Sequence, residues 1–93
     1  MYSSSEVRTR TEPATFCFSV HTDDDVSVLP RVTGVLAKRG LTPERMISTR
    51  FKHAGGELHV DFQVEGLDHP GAELIAQEMR RMVTARVVLI SQK

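Results

Sequence analysis

Between Glu57 and Glu65 the chain alternates with a period of two: Leu58, Val60, Phe62 and Val64 are apolar, and Glu57, His59, Asp61, Gln63 and Glu65 are polar. Successive side chains of a β-strand point to opposite faces, so this run predicts a strand buried on one face only. Strands of all-parallel sheets are covered on both faces and read as continuous apolar runs; clean alternation points instead to an antiparallel sheet with one open face. Phe16, Phe18 and Val20 repeat the pattern against Thr15, Cys17, Ser19 and His21. Two such strands need an apolar covering layer, and the rest of the sequence has to provide it.

Helical spacing does so twice. After Asp23, Asp24 and Asp25, residues Leu29, Val32, Val35, Leu36 and Arg39 recur three and four apart, which puts the apolar members on one stripe. Asp25 or Ser27 can cap this helix. Proline is tolerated only in a first turn, and Ser27 as cap places Pro30 at the third helical position, so Ser27 is preferred. Lys38 and Arg39 suit the negative end of the helix dipole, and Gly40 suits a left-handed C-terminal cap. A second stripe comprises Ala72, Ile75, Met79, Met82 and Val83, with His69 or Asp68 as cap and Pro70 near the start. Between the helices, Thr42-Pro43-Glu44 is a connector. A strand is expected from Met46 to Lys52, with Ile47, Thr49 and Phe51 on one face, and Ala54-Gly55-Gly56 suits a hairpin turn. A final strand is expected from Arg86 to Ser91.

The order β-α-β-β-α-β predicts an α+β, ferredoxin-like domain over residues 14–93, with two helices on one face of a four-stranded antiparallel sheet. Residues 1–13 are polar, lack any period and read as a disordered tail. The last strand, Val87-Val88-Leu89-Ile90, is apolar on both faces and lies at an edge in this topology, so a partner near it is expected.

Twelve Lys and Arg balance twelve Asp and Glu. The basic excess that phosphate binding demands is missing, and no nucleic-acid partner is expected. The open-face positions where an RNA-recognition motif carries stacking aromatics hold Cys17, Ser19, His59 and Asp61 instead. Cys17 is the single cysteine, which excludes an intrachain disulfide or a paired-thiolate metal site and fits a reducing cytoplasm. No apolar run approaches the roughly 18 residues that cross a bilayer, and Ser3, Ser4, Ser5, Glu6 and Arg8 do not resemble a signal core. A soluble, cytoplasmic protein is expected. Cys17, His21, His59 and Asp61 share the open face, where solvated polar residues suit an uncovered sheet better than a metal or acid–base site. No nucleophile is paired with a base, and the expectation is a non-enzyme without catalytic residues, metal or cofactor.

Three stretches carry a family signal. Val28-Leu29-Pro30-Arg31-Val32-Thr33-Gly34-Val35-Leu36-Ala37-Lys38-Arg39-Gly40 resembles the V-L-x-R-V-x-G-L-F-x-R-R-G run of the small, ACT-domain regulatory subunits of acetohydroxyacid (acetolactate) synthase. Pro43-Glu44-Arg45-Met46 lies where that family has I-E-S-L, and Met79 to Val87 is similar to L-x-K-L-V-D-V-x-x-V. The resemblance implies the short, single-domain type: a homodimer through its ACT domains that binds and activates a thiamine-diphosphate-dependent catalytic subunit in branched-chain amino-acid biosynthesis. It also implies an amino-acid effector site in the loop before the first helix and after the R-R-G segment. The matching positions here are Asp24, Asp25, Ser27, Val28 and Thr42. Where the family has asparagine and glycine, Asp24 would meet a ligand carboxylate with like charge unless a cation intervenes, and Ser27 adds a side chain where that carboxylate would meet backbone N–H groups, so valine is expected to bind weakly or not at all. The other function left open is a free-standing ACT-domain sensor of an amino acid or other small ligand. Arg31, Lys38 and Arg39 are the candidate partner-binding residues. Gly34, which costs about 1 kcal/mol against alanine inside a helix, is expected to serve close approach of the helix to the sheet or to the second helix.

Overall fold

β1 (Ala14–Asp23) lies in the middle of a four-stranded antiparallel sheet, paired on one side with β3 (Glu57–Leu67) and on the other with β4 (Ala85–Gln92). The fourth strand, β2 (Arg45–Phe51), pairs with β3 and completes the order β2-β3-β1-β4. Two helices, α1 (Val28–Lys38) and α2 (His69–Arg80), make the crossovers, which gives the ferredoxin-like arrangement. The computed structural model describes residues 13–53 and 55–93. The tail expected at residues 1–13 thus lies outside the described residues except for Pro13.

The register follows from the alternation. Phe18 is opposite Phe62 and Val20 opposite Val60, so Phe16, Phe18 and Val20 share a face with Leu58, Phe62 and Val64. Val28, Val32 and Leu36 of α1 and Ala72, Ile75, Ala76 and Met79 of α2 join that face in one buried core. The Phe18 and Phe62 rings stack with centroids 4.8 Å apart. Thr22, the buried polar residue of the core, turns its hydroxyl to the carbonyl of Asp23 at 2.8 Å, and the core therefore holds no stranded donor there.

Helix ends depart from expectation in instructive ways. Ser27 does precede α1 and Pro30 is its third residue, but the Ser27 hydroxyl turns backward and donates to the Asp25 carboxylate at 2.6 Å instead of capping the helix. Asp25 also accepts from the Ser27 backbone N–H at 2.8 Å, so an aspartate-centred turn closes the loop. Val28 replaces Leu29 in the buried stripe, leaving Leu29 at the surface. Asp68 caps α2 by accepting from the Gly71 N–H at 2.7 Å. That helix stops at Arg80; Met82 still reaches the core, whereas Val83 is 94 % exposed rather than part of the stripe. Gly40 has the expected positive φ of 71°. β2 shows Ile47, Thr49 and Phe51 on the open face, opposite the polar positions of β3. The β4 edge carries Val87 and Leu89 on the open face, with Leu89 55 % exposed.

Gly34 does not serve close packing within the domain. A Cβ built there meets nothing within 4 Å, because the residue faces solvent on α1. Gly34→Ala is therefore expected to stabilise the domain by about 0.5–1 kcal/mol through helix propensity and backbone entropy. A raised midpoint in a denaturant titration checks this, and a lowered one would expose a hidden contact.

Candidate functional site

Three consecutive aspartates end β1, and each takes a different partner. Asp23 pairs with Arg86 of β4 across the open face, with Nε 2.7 Å from its carboxylate. Asp25 is committed to Ser27, and these hydrogen bonds, the hydroxyl first and the backbone second, hold its carboxyl below the ordinary value. Asp24 meets Arg50 of β2 in a forked contact, Nη2 at 2.8 Å from one oxygen and Nε at 3.2 Å from both. The hydrogen bond to Asp24, and then its charge, push the Arg50 guanidinium above its ordinary value.

Arg50 reaches Asp24 because of the hairpin. Gly55 and Gly56 have φ of 88° and 93°, conformations that side-chain-bearing residues avoid, and this turn sets Arg50 opposite Leu58. Gly56 is required twice, since a Cβ there would lie 3.0 Å from the Asp24 Cβ.

The ion pair forms one wall of a cavity of about 450 Å³ lined by Asp24, Asp25, Val26, Leu29, Ser48, Arg50 and Leu58. Its mixed character, apolar side chains facing a carboxylate–guanidinium pair, suits a small zwitterion with an aliphatic group. Of the effector positions implied by sequence, the structure brings Asp24 and Asp25 together here. Ser27 does not line the cavity, Val28 is buried in the core, and Thr42 is exposed beyond the far end of α1, about 15 Å along the helix axis. Arg50 was absent from the sequence expectations. Its signal was the period of β2: Met46, Ser48 and Arg50 occupy the side opposite Ile47, Thr49 and Phe51.

Of the candidate partner residues, Arg31 and Lys38 lie on α1 and Arg39 is its C-cap. Arg31 is exposed. Lys38 and Arg39 both bind Glu78 of α2, Lys38 Nζ at 2.8 Å, so these two tie the helices together as well as facing outward. The Lys38 and Arg39 hydrogen bonds hold the Glu78 carboxyl below the ordinary value. A depressed folded-state value adds stability above the unfolded carboxylate range, and this is lost as pH falls through the folded value. Wild type is therefore expected to lose more stability than Glu78→Gln between about pH 5 and 3, as read by thermal melts at each pH.

The open face gathers Ser19, His21, His59 and Asp61. Ser19 donates to Asp61 at 2.6 Å, so its oxygen is left to accept from the His21 Nε2–H at 3.0 Å. His59 Nε2 donates to Glu57 at 3.0 Å, and the two imidazoles stack with centroids 3.8 Å apart. Among the described residues no group of three or more potential ligands is placed to hold a metal ion. Nor is any helix among them long and apolar enough to cross a membrane.

The topology is that of a ferredoxin-like α+β domain, with a cavity beside its first strand–helix loop. Within that class the chain belongs to the ACT-like domain family, whose model matches residues 9–93. Solved structures of the same fold include the ACT domain of GTP pyrophosphokinase from Chlorobium tepidum, 11 % identical with a TM-score of 0.72 over 85 % of this chain and 99 % of that one. Homoserine dehydrogenase from Thiobacillus denitrificans is 10 % identical with a TM-score of 0.72, over 89 % of this chain and 18 % of that one. Formyltetrahydrofolate deformylase from Pseudomonas putida KT2440 is 11 % identical with a TM-score of 0.65, over 83 % of this chain and 28 % of that one. At these identities the likeness is one of fold. No curated protein sequence matches the chain significantly.

Proposed function

We propose that the chain is a non-catalytic, activating subunit of a thiamine-diphosphate-dependent acetolactate synthase, acting as a homodimer. The observation that carries this reading is how the α1 run divides. Val28, Val32 and Leu36 face the core and account for themselves by packing. Arg31, Gly34 and Lys38 from the same run face solvent, and among the described residues Arg31 forms no ion pair and a Cβ at Gly34 meets nothing within 4 Å. Residues of a family-like motif that the domain itself does not use suit a surface that another protein uses. The test is to add the purified chain to an acetolactate synthase catalytic subunit and follow turnover of pyruvate. A several-fold rise is expected, and unchanged turnover across a titration would sink the proposal.

Amino-acid feedback is weak in this reading, for a reason the sequence expectation held only as a condition. The intervening cation exists: it is Arg50. It is already engaged by Asp24, which supplies from within the chain the carboxylate that a ligand would otherwise bring.

The cavity of about 450 Å³ favours a second reading, a free-standing sensor of a small amino acid. A ligand that binds only the folded state at a hundred times its Kd adds about 2.7 kcal/mol of stability. A thermal-shift series with the twenty amino acids separates the two, a clear shift with one of them favouring the sensor.

A further inference from the structure

The face where α1 meets α2 carries a shallow groove of about 320 Å³ lined by Arg31, Gly34, Val35 and Lys38 on one side and Glu78, Arg81 and Met82 on the other. Its floor is formed by the apolar side chains of Val35 and the buried Met82, with the bare backbone at Gly34 beside them. Its rim is cationic. Glu78 already accepts from both Lys38 and Arg39, so its charge is spent on this rim. Arg31 and Arg81 form no ion pair with any of the described residues, and α1 itself contains no acidic residue. In a chain of zero net charge, the three cations Arg31, Lys38 and Arg81 line this groove against the single carboxylate of Glu78, which Lys38 and Arg39 already engage.

We infer that this groove is the docking site for an acidic segment of the partner protein, crossing α1 at Gly34. Three observations converge on that occupant. The unpaired guanidiniums call for carboxylates and can hold them in forked pairs. The small apolar floor calls for one or two aliphatic side chains between those carboxylates. Gly34, a weak helix former with open space over its Cα, lets a second backbone come closer than any side chain would permit. The inference rests on the regulatory-subunit reading, which makes the partner the catalytic subunit, and adds to it the surface and the chemistry of recognition.

The test uses the full chain and the catalytic subunit, with affinity measured by calorimetry at low and high salt. Two variants are compared with wild type: Gly34→Leu, which fills the groove at a site with nothing within 4 Å of the new Cβ, and the double change R31E/R81E, which reverses the rim. Thermal melts confirm that each is folded; Gly34→Leu should melt no lower than wild type. Wild-type binding should weaken with salt, as charge-steered complexes do, and each variant should bind at least about tenfold more weakly. If wild type binds and both variants bind like it, the groove is not the interface although the regulatory reading stands. If wild type fails to bind the catalytic subunit, that reading falls and this inference with it. Weakened self-association with unchanged binding to the catalytic subunit would assign the groove to a second copy of the chain and overturn the inference.

Discussion

Replacing Phe62 by alanine is expected to destabilise the domain by about 3–5 kcal/mol, the range for a large aromatic removed from a packed core. Phe62 is buried on β3, directly opposite Phe18 on β1, and the two rings stack. The substitution removes apolar area, the ring–ring contact and the filling of the space between sheet and helices. Total stability for a domain of this size is on the order of 5–15 kcal/mol, so the loss is a large fraction of it and the denaturation midpoint should fall sharply. The control is Phe51→Ala. Phe51 is also an aromatic in a strand, but it is half-buried on the open face beside His59. Its loss should cost clearly less. Chemical denaturation of both variants decides the matter, and equal losses would mean that the open face is packed as tightly as the core.

Asp24→Asn should raise affinity for valine or a related amino acid at least about tenfold, against the usual rule that changing a site weakens it. In the wild type the Asp24 carboxylate and the Arg50 guanidinium satisfy each other, and a ligand carboxylate has to displace a group tethered in place. Asparagine keeps the shape and removes the competing charge. Arg50 is then free to fork onto a ligand carboxylate, while the Asp25 carboxylate oxygen that Ser27 does not bind remains to meet the ammonium group. Calorimetry with wild type, Asp24→Asn and the double change D24N/R50A tests each part. Tight valine binding by wild type, or a gain that survives loss of Arg50, would refute the account.

The fold was legible because it depends on patterns that act locally. The period of two in Phe16–Val20 and Leu58–Val64, the threefold and fourfold spacing in the helices, and the Gly55-Gly56 turn each specify an element, and their order leaves one compact topology. Details that depend on competition between neighbouring groups were less so. Ser27 sits where a cap belongs, yet Asp25 two residues earlier captures its hydroxyl. Val28 and Leu29 are both apolar, and which of them is buried is settled only by how α1 packs on the sheet, which takes Val28 inside.

The candidate site divides along the same line. The order of residues alone specifies that three aspartates follow the first strand and that a basic, glycine-containing helix comes next. It could not say that Asp23, Asp24 and Asp25 would part toward Arg86, Arg50 and Ser27, nor that Arg31 and Arg81 would line one groove. Those pairings join residues up to sixty-three positions apart, as Arg86 and Asp23 are. Periodicity fixes which face a side chain occupies, but which charge it meets depends on strand register and helix packing, and these exist only once the whole chain has closed on its core.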